Sequence, residues 1–189
     1  MTSVLDLISA FALAVRMLAV DPSLPPDVAI AHARAAQAAA TARVPAELLL
    51  GVAYVESRYD PTATSRVENG IRRTGSYPKL TPPAGLDRHA SLYCGPLQTY
   101  AGSWRECLSE RDLEVAYAAG VRELSQWLRD SRVRGNITLA LAGHGCGNAG
   151  VLTGHCNGYP MRVLATARRI AAPPPVPVVS SAPRPRPAS

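Results

Sequence analysis

Aromatic side chains are scarce in this chain: of 189 residues, one is Phe and two are Trp, although 47% are hydrophobic. A core must therefore be assembled from Ala, Leu, Val and Ile, a composition suited to closely packed helices. Long apolar runs are missing too. No stretch reaches the ~18 uninterrupted apolar residues of a spanning helix, so no membrane span is expected. Residues 5–20 are apolar, but Asp6 stands where an export signal carries positive charge, and Arg16 interrupts the run. They read as a first domain helix, with an atypical export signal as the alternative. Metal-ligand spacing is also lacking. His144, Cys146, His155 and Cys156 lie close in sequence, yet not as the Cys-x2–4-Cys and His-x3–5-His pairs of zinc sites, so no metal and no cofactor is expected.

Acidic residues are the minority. The net charge of +6 and a pI near 9.5 favour anionic partners such as a cell-wall polymer, nucleic acid or an acidic membrane surface. The arginines are scattered and no nucleic-acid-binding motif accompanies them, which argues against nucleic acid.

The length suits one domain with a real core. Asp21, Pro22, Pro25 and Pro26 break the first helix, an alanine-rich second helix is expected over 27–43, and a third over 44–59. Between 60 and 95 the chain holds Pro61, Gly70, Gly75, Pro78, Pro82, Pro83 and Gly85, which predicts a long irregular loop with at most one short hairpin. Loops of that length in compact domains usually serve function. Helical periodicity returns over 99–108, 112–132, 137–142 and 160–171. Residues 173–189 are Pro-rich with Arg184 and Arg186 and are expected to form a disordered tail, because they cannot bury enough apolar area to offset the entropy of ordering. The expected partition is N-terminal helices over 1–43, a main domain over 44–172 and the tail over 173–189, with an all-α fold.

Glu56 carries the functional signal. It ends the apolar helical run from Val44 and is followed by Ser57, Arg58, Tyr59, Asp60 and Pro61. A carboxyl sheltered at the end of a core-facing helix can hold a proton near neutrality and donate it, as glycoside cleavage requires. The segment Glu56 to Pro61 resembles the Glu-Ser-x-aromatic-Asn/Asp-Pro signature of lytic transglycosylases of the soluble-lytic type. Gly95-Pro96-Leu97-Gln98 resembles that family's Gly-Leu-Met-Gln block. The stretch 116–128, with Gly120 and Leu124, is similar to its Asn-x-x-x-Gly-x-x-x-Leu helix. Residues 139–147 stand where the family has Ala-Tyr-Asn-Ala-Gly, with His144-Gly145 replacing Tyr-Asn, and 159–164 resemble its closing Tyr-x-x-x-Val helix. The likeness spans about residues 44–171. The connection over 62–93 is longer than the family's and suggests an inserted cleft loop.

The resemblance implies a lysozyme-like, goose-type helical domain that cleaves peptidoglycan glycan strands. One acid protonates the oxygen between N-acetylmuramic acid and N-acetylglucosamine, then acts as base so that the muramic C6 hydroxyl closes a 1,6-anhydro ring. Glu56 is the expected catalytic residue. Ser57, Gly95, Gln98, Tyr100, His144, Gly147 and Tyr159 are the expected substrate-binding residues: Gln98 as an amide facing an N-acetyl group or hydroxyl, the glycines as points of close backbone approach, the tyrosines as stacking faces. Asp60 is expected to form an Asx-type turn. A hydrolase on the same fold would add a second carboxylate, for which Asp60, Glu68 and Asp87 are the candidates.

Four cysteines allow three pairings. Their even number and a substrate outside the cytoplasm favour disulfides, with Cys146–Cys156 and Cys94–Cys107 the expected pairs and free thiols the alternative. Expected partners are peptidoglycan strands and a phage particle or a secretion or conjugation assembly, with the protein in periplasm, cell wall or virion. A wall-binding component without turnover is the rival from another class.

Overall fold

The computed structural model describes residues 4–68, 71–76 and 91–173. Seven helices and four strands follow one another among them: α1 (Val4–Val20), α2 (Pro26–Ala39), α3 (Ala46–Ser57), β1 (Ala63–Glu68), β2 (Ile71–Ser76), β3 (Ser91–Cys94), β4 (Thr99–Ala101), α4 (Trp104–Ser109), α5 (Leu113–Arg129), α6 (Ile137–Thr153) and α7 (Tyr159–Ala171). The protein is predominantly helical.

Helix starts follow local chemistry. Pro26 opens α2, where a missing N–H costs nothing. Ser103 accepts a hydrogen bond from the Glu106 N–H at the start of α4. Asp112 accepts from the N–H groups of Glu114 and Val115 ahead of α5, and Asn136 from those of Thr138 and Leu139 ahead of α6. Each cap satisfies backbone donors that a helix start leaves without partners.

One apolar core joins the helices. Leu13 and Met17 of α1, Ala33 and Ala36 of α2, Leu49 and Leu50 of α3, Tyr117 and Leu124 of α5, Leu141 of α6, and Val163 and Ile170 of α7 are all buried in it. A fully buried Leu contributes about 2 kcal/mol. The small residues set the spacing: a Cβ added at Gly51 would lie 2.8 Å from the Val163 carbonyl oxygen, so α3 and α7 pack nearly backbone to backbone. The N-terminal helices share this core; Arg16 of α1 also donates to the carbonyl of Ala171, 3.2 Å away.

The predominantly helical fold is compatible with the all-α class expected, and the difference lies in the inserted segment. Much of the segment expected as irregular loop is an antiparallel sheet of order β2-β1-β3-β4. Ala63 pairs with Ser76 and Thr64 with Gly75, while on the other side Thr64 pairs with Cys94. Residues 99–101, expected to be helical, are its edge strand, with Tyr100 opposite Tyr93. Burial alternates along β4, Thr99 and Ala101 inward and Tyr100 outward, the period of a half-buried strand. The helix begins only after Gly102 and the Ser103 cap. Leu92, Cys94, Ala101, Trp104 and Cys107 form a second small core between sheet and α4, closed by the Cys94–Cys107 disulfide. The second disulfide, Cys146–Cys156, ties α6 to the loop before α7. Both pairs are the expected ones. No described helix is long and apolar enough to cross a membrane. The expected tail beyond Pro173, the Asp87 position and the Glu68 side chain lie outside what is described.

Candidate active site

The end of α3 delivers Glu56. Arg58 and Tyr59 follow in left-handed backbone conformation, with φ of 56° and 66°, and turn the chain sharply away. Such positions cost free energy in non-glycine residues and persist only where the surroundings enforce them. Here the enforcing group is Tyr59, 1% exposed, whose ring packs against His32 and Tyr54 at 5.2 and 5.8 Å between centroids. Asp60 then accepts from both the N–H and the hydroxyl of Thr62 at 2.7 Å. That is the expected Asx turn, and it feeds the chain into β1.

Gly95, Pro96, Leu97 and Gln98 form the turn between β3 and β4, with φ of +68° at Gly95 and +51° at Gln98. The hydroxyl of Ser57 shares its proton between the carbonyls of Pro96, at 2.8 Å, and Ala53, at 3.1 Å, tying this turn to the end of α3. Gln98 is 7% exposed. Its amide nitrogen donates to the carbonyls of Ala63 and Gly95, both 3.0 Å away, and its oxygen accepts from Ser65 at 2.8 Å. The polar groups of Ser57 and Gln98 are thus engaged in bracing the turn beside Glu56. Leu97 seats the turn on α5, where a Cβ at Gly120 would fall 2.5 Å from its Cδ2; only glycine leaves that space.

From α6 comes His144, its side chain 1% exposed, with Nε2 3.9 Å from Glu56 Oε1. Nε2 also lies 3.0 Å from the Leu97 carbonyl oxygen, and Nδ1 lies 2.8 Å from Glu123 Oε1. Glu123 in turn accepts the Tyr100 N–H at 3.2 Å. Burial alone would depress the His144 pKa, but the Glu123 charge and hydrogen bond, with a smaller contribution from Glu56, raise it to about 9. Burial would raise Glu123, yet the charge and hydrogen bond of His144 hold it below its ordinary value. Glu56 has a side chain only 11% exposed.

Of this trio Glu123 and His144, but not Glu56, line a cleft of about 330 Å³ that Tyr93, Tyr100, Trp127 and Gly147 also border. Tyr100 is 57% exposed, and its ring meets Tyr93 edge-on at 6.0 Å. Gly147, with φ 61° and ψ −151°, interrupts α6 in a region open essentially to glycine alone; no atom lies within 4 Å of where its Cβ would be. Tyr159, expected as a stacking face, is 6% exposed and tilts over His144 at 6.2 Å. A larger cavity of about 660 Å³ between α1, α2 and the start of α5 contains none of these residues. No group of metal-ligating side chains occurs among the described residues.

The trio needed one residue that the motifs did not single out. Glu123 stands on the face of α5 that also carries Gly120 and Trp127, three and four residues away, so helical spacing next to Gly120 was the available signal. Compared with protein-family models, with curated proteins and with solved structures, the chain matches none.

Proposed function

We propose that the protein is a peptidoglycan lytic transglycosylase with a lysozyme-like architecture, and that Glu56 is its acid and then its base. The observation that carries this reading is the placement of Glu56: a sheltered carboxyl at a helix end, 3.9 Å from His144, which itself borders a cleft with an open tyrosine face. The Glu56 proton passes to the glycosidic oxygen as its bond to the muramic C1 breaks. The resulting carboxylate takes the C6 hydroxyl proton as O6 bonds to C1, so no water is consumed. One carboxylate suffices. Asp60 is engaged with Thr62 and Glu123 with His144, which disfavours either as the second carboxylate of a hydrolase.

Two disulfides suit an oxidising compartment outside the cytoplasm, where peptidoglycan lies. The charge of +6 suits an anionic wall. Delivery by a phage particle or a secretion or conjugation assembly fits the same reading.

Digestion of purified peptidoglycan followed by mass spectrometry is the test. Muropeptides ending in 1,6-anhydro-N-acetylmuramic acid, lighter by one water than hydrolytic products, are expected. Glu56→Gln should lower the rate by about 100-fold or more while keeping the fold, since the amide is nearly isosteric and delivers no proton. Reducing ends alone would mark a hydrolase, and glycan binding without cleavage a wall-binding protein.

A further inference from the structure

His144 is enclosed by acceptors. The Leu97 carbonyl on its Nε2 side can only accept. On its Nδ1 side, Glu123 already receives the Tyr100 N–H, a group that can only donate. A carboxyl that gathers donors is stabilised as carboxylate. Both imidazole nitrogens must then carry protons for every contact to be a hydrogen bond, which makes the ring an imidazolium. Its position is fixed from two sides, and its charge lies 3.9 Å from Glu56.

We propose that Glu123 and His144 are positioning residues for Glu56, a carboxylate–imidazolium pair that keeps a permanent positive charge against the acid/base throughout the working pH range. The pair stabilises the carboxylate that Glu56 becomes when it delivers its proton. This inference rests on the assignment of Glu56 as acid/base. The neighbouring titratable groups are Glu56 from α3, Tyr93 and Tyr100 bordering the cleft from β3 and β4, and Tyr159 from α7. Glu123 and Arg122 both act on Glu110. Among these neighbours His144 and Arg122 carry the positive charge, and Arg122 is exposed. The raised pKa of His144 agrees with the geometry.

The test joins NMR of the His144 ring in the full chain with pH–rate profiles of Glu123→Gln and His144→Gln. In the unaltered protein the ring should stay doubly protonated well above neutrality. In Glu123→Gln its titration should fall by about two pH units. The alkaline limb of kcat/KM should move in His144→Gln, which withdraws the charge outright, and kcat should drop in both variants. A wild-type ring that titrates like an exposed imidazole overturns the proposal. So does an unmoved alkaline limb in folded His144→Gln, which is the outcome of a merely structural role. Full activity in Glu56→Gln would instead overturn the assignment of Glu56, leaving the imidazolium as observed by NMR.

Discussion

Replacing Glu110 by Gln should stabilise the protein in a manner that depends steeply on pH. Glu110 follows α4, is 5% exposed, and accepts a hydrogen bond from the Thr99 hydroxyl. Burial pushes its carboxyl from 4.5 up to about 7, against the smaller opposing effect of that hydrogen bond. Between those two values the folded chain holds a proton that the unfolded chain has released. The contribution to stability is therefore complete below about pH 4.5 and is lost as the pH rises through about 7. A gap of about 2.5 units at 1.36 kcal/mol each corresponds to about 3 kcal/mol. Gln cannot ionise and escapes that loss, whatever it costs to seat the amide. The seating cost is the same at every pH, so the informative quantity is the difference between the substitution effect at about pH 8 and at about pH 4. It should favour Gln at the higher pH by about 3 kcal/mol. Urea unfolding followed by circular dichroism at the two pH values measures it. An equal effect at both would show that Glu110 is ionised in the folded protein at neutrality, and the argument from burial would fail.

Gly51→Ala should destabilise by about 1–2 kcal/mol in the same assay. Relief of glycine's helix penalty is worth about 1 kcal/mol, but the new methyl meets the Val163 carbonyl at 2.8 Å and the Ala167 nitrogen at 3.1 Å, and backbone of α7 can yield only by moving away. A gain in stability would mean that α3 and α7 are not in close contact. Replacing Cys94 and Cys107 together by Ala should cost about 3 kcal/mol, from the loop that the bridge closes, while glycan cleavage persists; unchanged stability would contradict a native disulfide there.

The helices were legible in the sequence because their signals are local. Apolar spacing and the prolines before α2 act within one or two turns of the positions they define. Alanine-rich composition likewise announced close helix packing, and Cys146 and Cys156 lie near enough in the chain to be paired on sight. The sheet was not legible. Thr64 takes its partners from Gly75 on one side and Cys94 on the other, and the glycines and prolines between them hide any alternating pattern. The site divides in the same way. Glu56 stands out through its own helix and the motif after it. The imidazolium state of His144 depends on a carbonyl of the β3–β4 turn, a carboxylate of α5 and a donor from β4. None of these lies near His144 in sequence. Only tertiary packing sets those groups at hydrogen-bond distance, where the Glu123 charge and hydrogen bond outweigh the burial that by itself would favour a neutral ring. The same packing commits Ser57 and Gln98 to the turn, because side chains of identical chemistry brace backbone when enclosed and meet a ligand when open.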